Sequence, residues 1–324
     1  MLYSMVSKMI RNTVNTRADE NGLIFYFDAG DFPGLKKQPY AVLSSEGHTL
    51  SGYFYSYDSP RRDRIIIFEH GMGSGHRGYM TEIDCLAKHG CLVFAYDHTG
   101  CMESGGEGTG GFVHSLIDCN DVITALKNDP AFDGCSFSVI GHSWGGYAAL
   151  NITALHPDVT HIVAIAGFLS VPNMLRSIMR GFFAPFAKRM IREETARYPA
   201  FVPIDARETL QHTNADVLVI HSDDDQTVSC AANFDLLRAE LSEHQNILFH
   251  KVTRKGHNPN YTEDALRYKD AFFKTYTKVQ KKKESMTDED KRAFRNAFDW
   301  NRMTAQDPEI WNLIFAFLDR TIGG

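Results

Sequence analysis

The sequence predicts an α/β protein: a mostly parallel, doubly wound sheet with an N-terminal antiparallel hairpin and a helical cap insertion. Three observations carry that expectation. Near-continuous apolar runs at 64–69, Cys91–Tyr96, 137–140, 161–166, 217–221 and Ile247–Val252 have the composition of strands covered on both faces. Helix-like segments alternate with them, which implies parallel crossovers. At 137–150, Phe-Ser-Val-Ile runs into Gly-His-Ser-Trp-Gly-Gly and then Tyr-Ala-Ala-Leu, a strand turning sharply into a helix.

In chain order, residues 1–38 carry only a weak pattern: Met5, Met9 and Ile10 fall on one helical stripe, and 31–38 reads as loop. Residues 40–44 and 50–57, joined by Ser45-Glu46-Gly47-His48, form the expected hairpin. Helices around 79–88 and His114–Lys127 each lead into a strand, and a helix around 231–241 precedes Ile247–Val252. The stretch between Ala166 and Val217 is too long for an ordinary crossover. There Met174, Leu175, Ile178, Met179, Phe182, Phe183 and Phe186 recur at helical spacing, with Arg176, Arg180, Lys188, Arg189 and Arg192 between them. This is the expected cap, with its large apolar side chains Met179, Phe182 and Phe183 lining a substrate roof. The tail is helical: 260–279, then a helix capped by Thr287 and Asp290, then one opened by Asp307-Pro308-Glu309. The expected division is an N-terminal extension (1–38), a core (39–167 and 212–280), the cap (168–211) and a C-terminal helical extension (281–324).

The 324 residues, 43% of them hydrophobic, suffice for one large domain with accessory elements. A net charge of −6 argues against a nucleic-acid surface. The six cysteines form no Cys-x-x-Cys pair and suit reduced thiols in a cytoplasmic protein. No apolar run approaches the roughly 20 residues that cross a bilayer, so no stable membrane insertion is expected. No metal or cofactor motif is present.

The chemistry starts at Ser143. Gly141 and Gly145 flank a serine on a turn that needs small neighbours, and the following helix aims its free N–H groups at the same point. A serine hydroxyl needs a base, and the base needs an orienting group. Strand 217–221 ends in Ser222-Asp223-Asp224-Asp225, and any of the three acids fits that role by chemistry alone. His257 follows strand Ile247–Val252; among 14 histidines it is marked by order and loop position. Earlier, strand 64–69 runs into His70-Gly71-Met72-Gly73, where the N–H of Met72, together with that of Trp144, can meet an oxyanion. This glycine loop lacks the Gly-Lys-Ser/Thr ending of a phosphate cradle.

Taken together, His70-Gly71-Met72-Gly73, Asp97-His98-Thr99-Gly100 with Ser104-Gly105, Gly141-His142-Ser143-Trp144-Gly145-Gly146, Asp225 with Val228, and Gly256-His257 resemble the α/β-hydrolase superfamily. The resemblance is closest to its esterase, monoacylglycerol-lipase and serine-aminopeptidase-like branch and covers about residues 40–275. It implies the α/β-hydrolase fold, Ser143 as nucleophile, His257 as base, Asp225 as orienter, and Met72 and Trp144 as oxyanion-hole donors. Asp225 is singled out because the family's acid lies three residues before a valine-like position. Two departures stand out: Ser222 replaces a usual glycine, and Cys101-Met102 interrupts a loop that usually reads Gly-x-Gly-x-Ser.

The expected function is a serine hydrolase acting on carboxylic esters of small or medium acyl groups through an acyl-enzyme, with a small-molecule ester as partner. Acyl transfer uses the same first half-reaction. An aminopeptidase needs an acidic group for the substrate amine, and the cap offers only Glu193, Glu194, Asp205 and Glu208 against a basic background. A non-catalytic small-molecule receptor on the same fold is the alternative from another class.

Overall fold

The computed structural model describes residues 2–320. Its centre is an eight-stranded sheet of β1 (Lys36–Leu43), β2 (Thr49–Ser56), β3 (Arg61–Glu69), β4 (Cys91–Tyr96), β5 (Ser136–His142), β6 (His161–Ile165), β7 (Asp216–Ser222) and β8 (Ile247–Val252). The spatial order is β1-β2-β4-β3-β5-β6-β7-β8. The β1–β2 hairpin is antiparallel and joins β4 antiparallel; every later pairing is parallel. The expected α/β architecture is therefore the observed one, with the serine turn at the end of a central strand.

The apolar runs read as two-sided strands because alternate residues enter different layers. Ile65, Ile67, Val139, Ile162, Val217 and Val219 pack on one face, under α3 (His114–Lys127) and α4 (Trp144–Asn151). Ile66, Phe68, Ile140, Val163, Leu218 and Ile220 pack on the other. That face is covered by α2 (Met80–Lys88) and the chain's last described helix, at Pro308–Leu318.

The segment between β6 and β7 is helical, with α5 (Val171–Ile178), α6 (Ala184–Arg197) and α7 (Ala206–Gln211). Met174, Leu175, Met179 and Met190 are buried in the main core, so this apolar stripe holds the segment to the body. The first helix, α1 (Leu2–Val14), lies against α6: Tyr3 Oη donates to Glu193 at 2.7 Å and its ring meets Phe186. Ile10 packs inward, whereas Met5 and Met9 of the expected stripe are exposed.

After β7 come α8 (Phe234–Leu241) and, beyond β8, α9 (Glu263–Gln280), α10 (Asp288–Asn296), α11 (Trp300–Met303) and α12, the Pro308–Leu318 helix. Thr287 and Asp290 form the reciprocal cap expected at α10. The two terminal regions meet: Leu23 packs with Phe272, Tyr276 and Met303 in a core of their own. Arg17 reaches the carbonyls of Met102, Ser104 and Gly106 at 2.6, 3.0 and 2.8 Å, so the unusual Cys101-Met102 loop is held by the N-terminal segment. Among the described residues, no helix is long and apolar enough to cross a membrane.

Candidate active site

Ser143 caps the end of β5 with φ +58° and ψ −111°, a strained conformation for a residue with a side chain. The neighbours explain how the turn survives. A Cβ at Gly145 would strike the Glu69 carbonyl of β3, and one at Gly141 would strike the backbone of Gly145. Both glycines are required by close backbone approach. The Ser143 N–H bonds to the Ile165 carbonyl at 2.8 Å, tying the turn to β6.

The sequence-predicted partners converge on this serine. His257 Nε2 lies 2.8 Å from Ser143 Oγ, and His257 Nδ1 lies 2.8 Å from Asp225 Oδ2. An ionised carboxylate only accepts, so Nδ1 carries the proton and Nε2 is left to accept from the serine hydroxyl. Asp225 Oδ1 takes the N–H groups of Thr227 and Val228 at 2.8 and 3.0 Å. Burial works against its ionisation, yet the hydrogen bonds from His221 and His257 and the Val228 N–H hold Asp225 well below the usual carboxylate range. The adjacent acids do other things. Asp224 accepts from Ser222 Oγ and the Gly256 N–H at 2.6 and 2.9 Å, bracing the turn before His257. Asp223 is exposed. Ser222 also accepts the Lys255 N–H at 3.0 Å, which gives the unusual serine a bracing role.

The Met72 and Trp144 N–H groups have no internal acceptor among the described residues. Both belong to turns bordering Ser143, where the start of α4 adds its positive end. His142 and Tyr79, which sequence reasoning did not single out, join these loops. Tyr79 Oη accepts the Gly71 N–H at 3.1 Å and donates to His142 Nδ1 at 2.9 Å. Burial and the neighbouring His257 push His142 down to about 3, so it stays neutral.

Ser143 and His257 open into a cavity of about 570 Å³. Its far wall is aromatic, with Phe272, Phe273 and Tyr276 from α9, Trp300 from α11, and Phe25 and Phe27 from the N-terminal segment. The residues expected to form the roof are elsewhere. Met179 is 2% exposed within the main core, Phe182 is 75% and Phe183 41% exposed, and none of the three lines this cavity. The apolar stripe is consumed in holding α5 and α6 down, which leaves the short turn between them, with its two rings, facing outward. The signal for this cavity's wall was present as a helical face at 269, 272, 273 and 276, but nothing local tells which surface that face meets. Among the described residues no group of three or more His, Cys, Asp or Glu side chains could hold a metal ion.

Comparison with known proteins agrees with this fold. The esterase Pf2001 of Pyrococcus furiosus superposes with a TM-score of 0.61 at 17% identity, covering 93% of this chain and 98% of that one. Acetyl xylan esterase 1 from Thermoanaerobacterium sp. JW/SL YS485 gives 0.51 at 19% identity, over 72% and 80%. Est1E of Butyrivibrio proteoclasticus, solved with ferulic acid bound, gives 0.51 at 15% identity, over 67% and 90%. In sequence, the uncharacterized protein YqkD of Bacillus subtilis (strain 168) is 27% identical over 126 residues, 39% of this chain and 40% of that protein, so the match spans less than half of either. Residues 60–221, half of the chain and the half that runs from β3 through the serine turn to β7, match the Hydrolase_4 family (serine aminopeptidase, S33). With that match laid over this sheet order and this strand-to-helix serine, the chain belongs to the Hydrolase_4 family of the α/β-hydrolase superfamily.

Proposed function

We propose that the protein is a serine hydrolase that cleaves carboxylic esters of small or medium acyl groups through an acyl-enzyme. The observation that carries this reading is the hydrogen-bonded relay Asp225–His257–Ser143, 2.8 Å at each step, opening on the 570 Å³ cavity. His257 Nε2 takes the Ser143 proton as Oγ attacks the ester carbonyl carbon. The oxyanion that forms accepts from the Met72 and Trp144 N–H groups. The intermediate collapses, the C–O bond to the alcohol breaks, and His257 returns the proton to the departing oxygen. Water, activated by the same histidine, then attacks the acyl-enzyme and frees the acid. Asp225 holds the imidazole in the tautomer that each transfer needs.

The aminopeptidase reading is weaker for a specific reason. A free amino terminus needs an anionic partner, and among the described residues no Asp or Glu lines the cavity; its charged lining groups are Arg77 and Lys269. The similar structures named as esterases agree with the ester reading, and at 15–19% identity their weight falls on the fold.

Labelling by a fluorophosphonate probe, with ester turnover measured beside it, tests the proposal. Wild type is expected to label at Ser143, and Ser143→Ala to lose labelling and on the order of 10⁴-fold or more in turnover. A folded wild-type protein that neither labels nor hydrolyses any ester of a broad panel would sink the reading, as would near-normal turnover in Ser143→Ala.

A further inference from the structure

The cavity holds two kinds of cation, and they differ in how they are satisfied. Arg77 is ion-paired: Nη1 meets Glu20 at 2.5 Å, and Nη2 and Nε bond to the carbonyls of Tyr26 and Phe27 at 3.1 and 3.3 Å. Lys269 is not. Its ammonium donates to Asn258 Oδ1 at 2.9 Å and stands 4.7 Å from the centre of the Tyr261 ring, and among the described residues no carboxylate forms an ion pair with it. An ammonium has three donors, so donor capacity remains. The contrast with Lys255 is direct: that lysine pairs with Asp307 at 2.7 Å and bonds to the Tyr261 carbonyl.

Lys269 sits one turn before Phe272 on α9, on the helical face that makes the aromatic wall. Its one hydrogen-bond partner, Asn258, is the residue after His257. Burial pushes the ammonium down to about 8, against the pull of the Glu82 and Asp270 carboxylates. A charge kept in a largely apolar wall with no carboxylate in direct contact is costly unless something restores its partner. In a site with no acid of its own, an incoming anion does so.

Resting on the ester-hydrolase reading above, we propose that the substrate is an ester bearing a carboxylate, and that Lys269 is the group that binds that carboxylate. The charge can sit on the acyl half or on the alcohol half; the recognition chemistry is the same, and two substrate pairs separate the sources. The competing role for Lys269 is purely structural, as a tie holding the His257 loop through Asn258.

The experiment compares kcat/KM within matched pairs: the 4-nitrophenyl monoester of adipate against 4-nitrophenyl hexanoate for a charged acyl half, and 4-acetoxybenzoate against its methyl ester for a charged alcohol half. In at least one pair the anionic ester should be preferred about tenfold or more by wild type, the size of one charge-assisted hydrogen bond. Lys269→Met should abolish that preference, and Lys269→Arg should keep most of it. Loss of a structural tie would slow both members of a pair alike and leave the ratio unchanged, which would overturn the proposal. So would a wild type that shows no anionic preference in either pair. Calorimetric binding of both members of each pair to Ser143→Ala reads recognition without turnover. Equal affinities within both pairs retire the carboxylate proposal, whereas a binding preference with no fluorophosphonate labelling of wild type retires the hydrolase reading instead.

Discussion

His142 donates its Nε2–H to the backbone carbonyl of His257 at 2.7 Å. The residue before the serine thus holds the loop that carries the base, while Tyr79 holds His142 from the other side. Three loops that are distant in sequence, at Gly71, Ser143 and His257, are locked by two side chains that touch none of the reacting atoms in the proposed mechanism.

That lock makes the first prediction. Tyr79→Phe removes one hydroxyl and leaves both the Gly71 N–H and His142 Nδ1 without a partner. Stability to urea should fall by about 1–3 kcal/mol, the cost of unsatisfied buried groups. Ester kcat should fall roughly tenfold, because sub-ångström misplacement of the glycine loop and the base weakens both. An unchanged kcat together with an unchanged unfolding midpoint would show that the lock does not matter.

The three consecutive acids should separate cleanly by substitution. Asp225→Asn keeps the shape but favours the wrong imidazole tautomer, and turnover should drop by up to about 10⁴-fold. Asp224→Asn should be milder, since an amide oxygen can still accept from the Gly256 N–H, and Asp223→Asn close to silent. Steady-state rates on the three purified proteins, each checked for its melting temperature, decide the assignment; a severe Asp224→Asn with a mild Asp225→Asn reverses it.

Acyl-length preference should respond to the α9 wall and not to the α5–α6 turn. Phe273→Ala enlarges the cavity and should move the optimum toward longer chains or raise KM. Phe182→Ala should leave the chain-length profile unchanged, because that ring lies outside the cavity. Profiles over 4-nitrophenyl esters of graded length measure both, and a shift confined to Phe182→Ala would return the substrate wall to the helical insertion.

The anionic preference assigned to Lys269 carries a pH dependence with a definite sign. A lysine is charged below its pKa, and this one is depressed from 10.5 to about 8. The kcat/KM ratio of the adipate monoester to the hexanoate should therefore be flat near pH 6–7 and decline as pH rises through about 8. Glu82 on α2, Asp270 on α9, Tyr261 and His257 before α9, and His142 on β5 surround this site. Effects that reach the reacting groups act on both esters alike and cancel in the ratio. In Lys269→Arg the decline should disappear, because a guanidinium stays protonated throughout; a ratio that rises with pH in wild type contradicts the assignment.

What the sequence determined by itself is local or ordered along the chain. The two-sided strands were legible because each must bury both faces, and the serine turn because its backbone path at φ +58° demands glycines at 141 and 145. The choice of Asp225 agrees with a short-range geometry, since its Oδ1 accepts the N–H three residues on. Only the tertiary structure decided which surfaces close the cavity. Leu23 meets Phe272, Tyr276 and Met303 across some 250 residues or more of chain, and Tyr3 meets Glu193 across 190. An apolar stripe announces that it will be buried without naming its partner. For that reason the stripe of α5 and α6 read as a roof and proved to be an anchor, while the stripe of α9 became the wall. The same holds for charge: Lys255 and Lys269 look alike in sequence, and only the fold gives one of them an ion-paired acid and leaves the other lining the serine's cavity with no carboxylate in direct contact among the described residues.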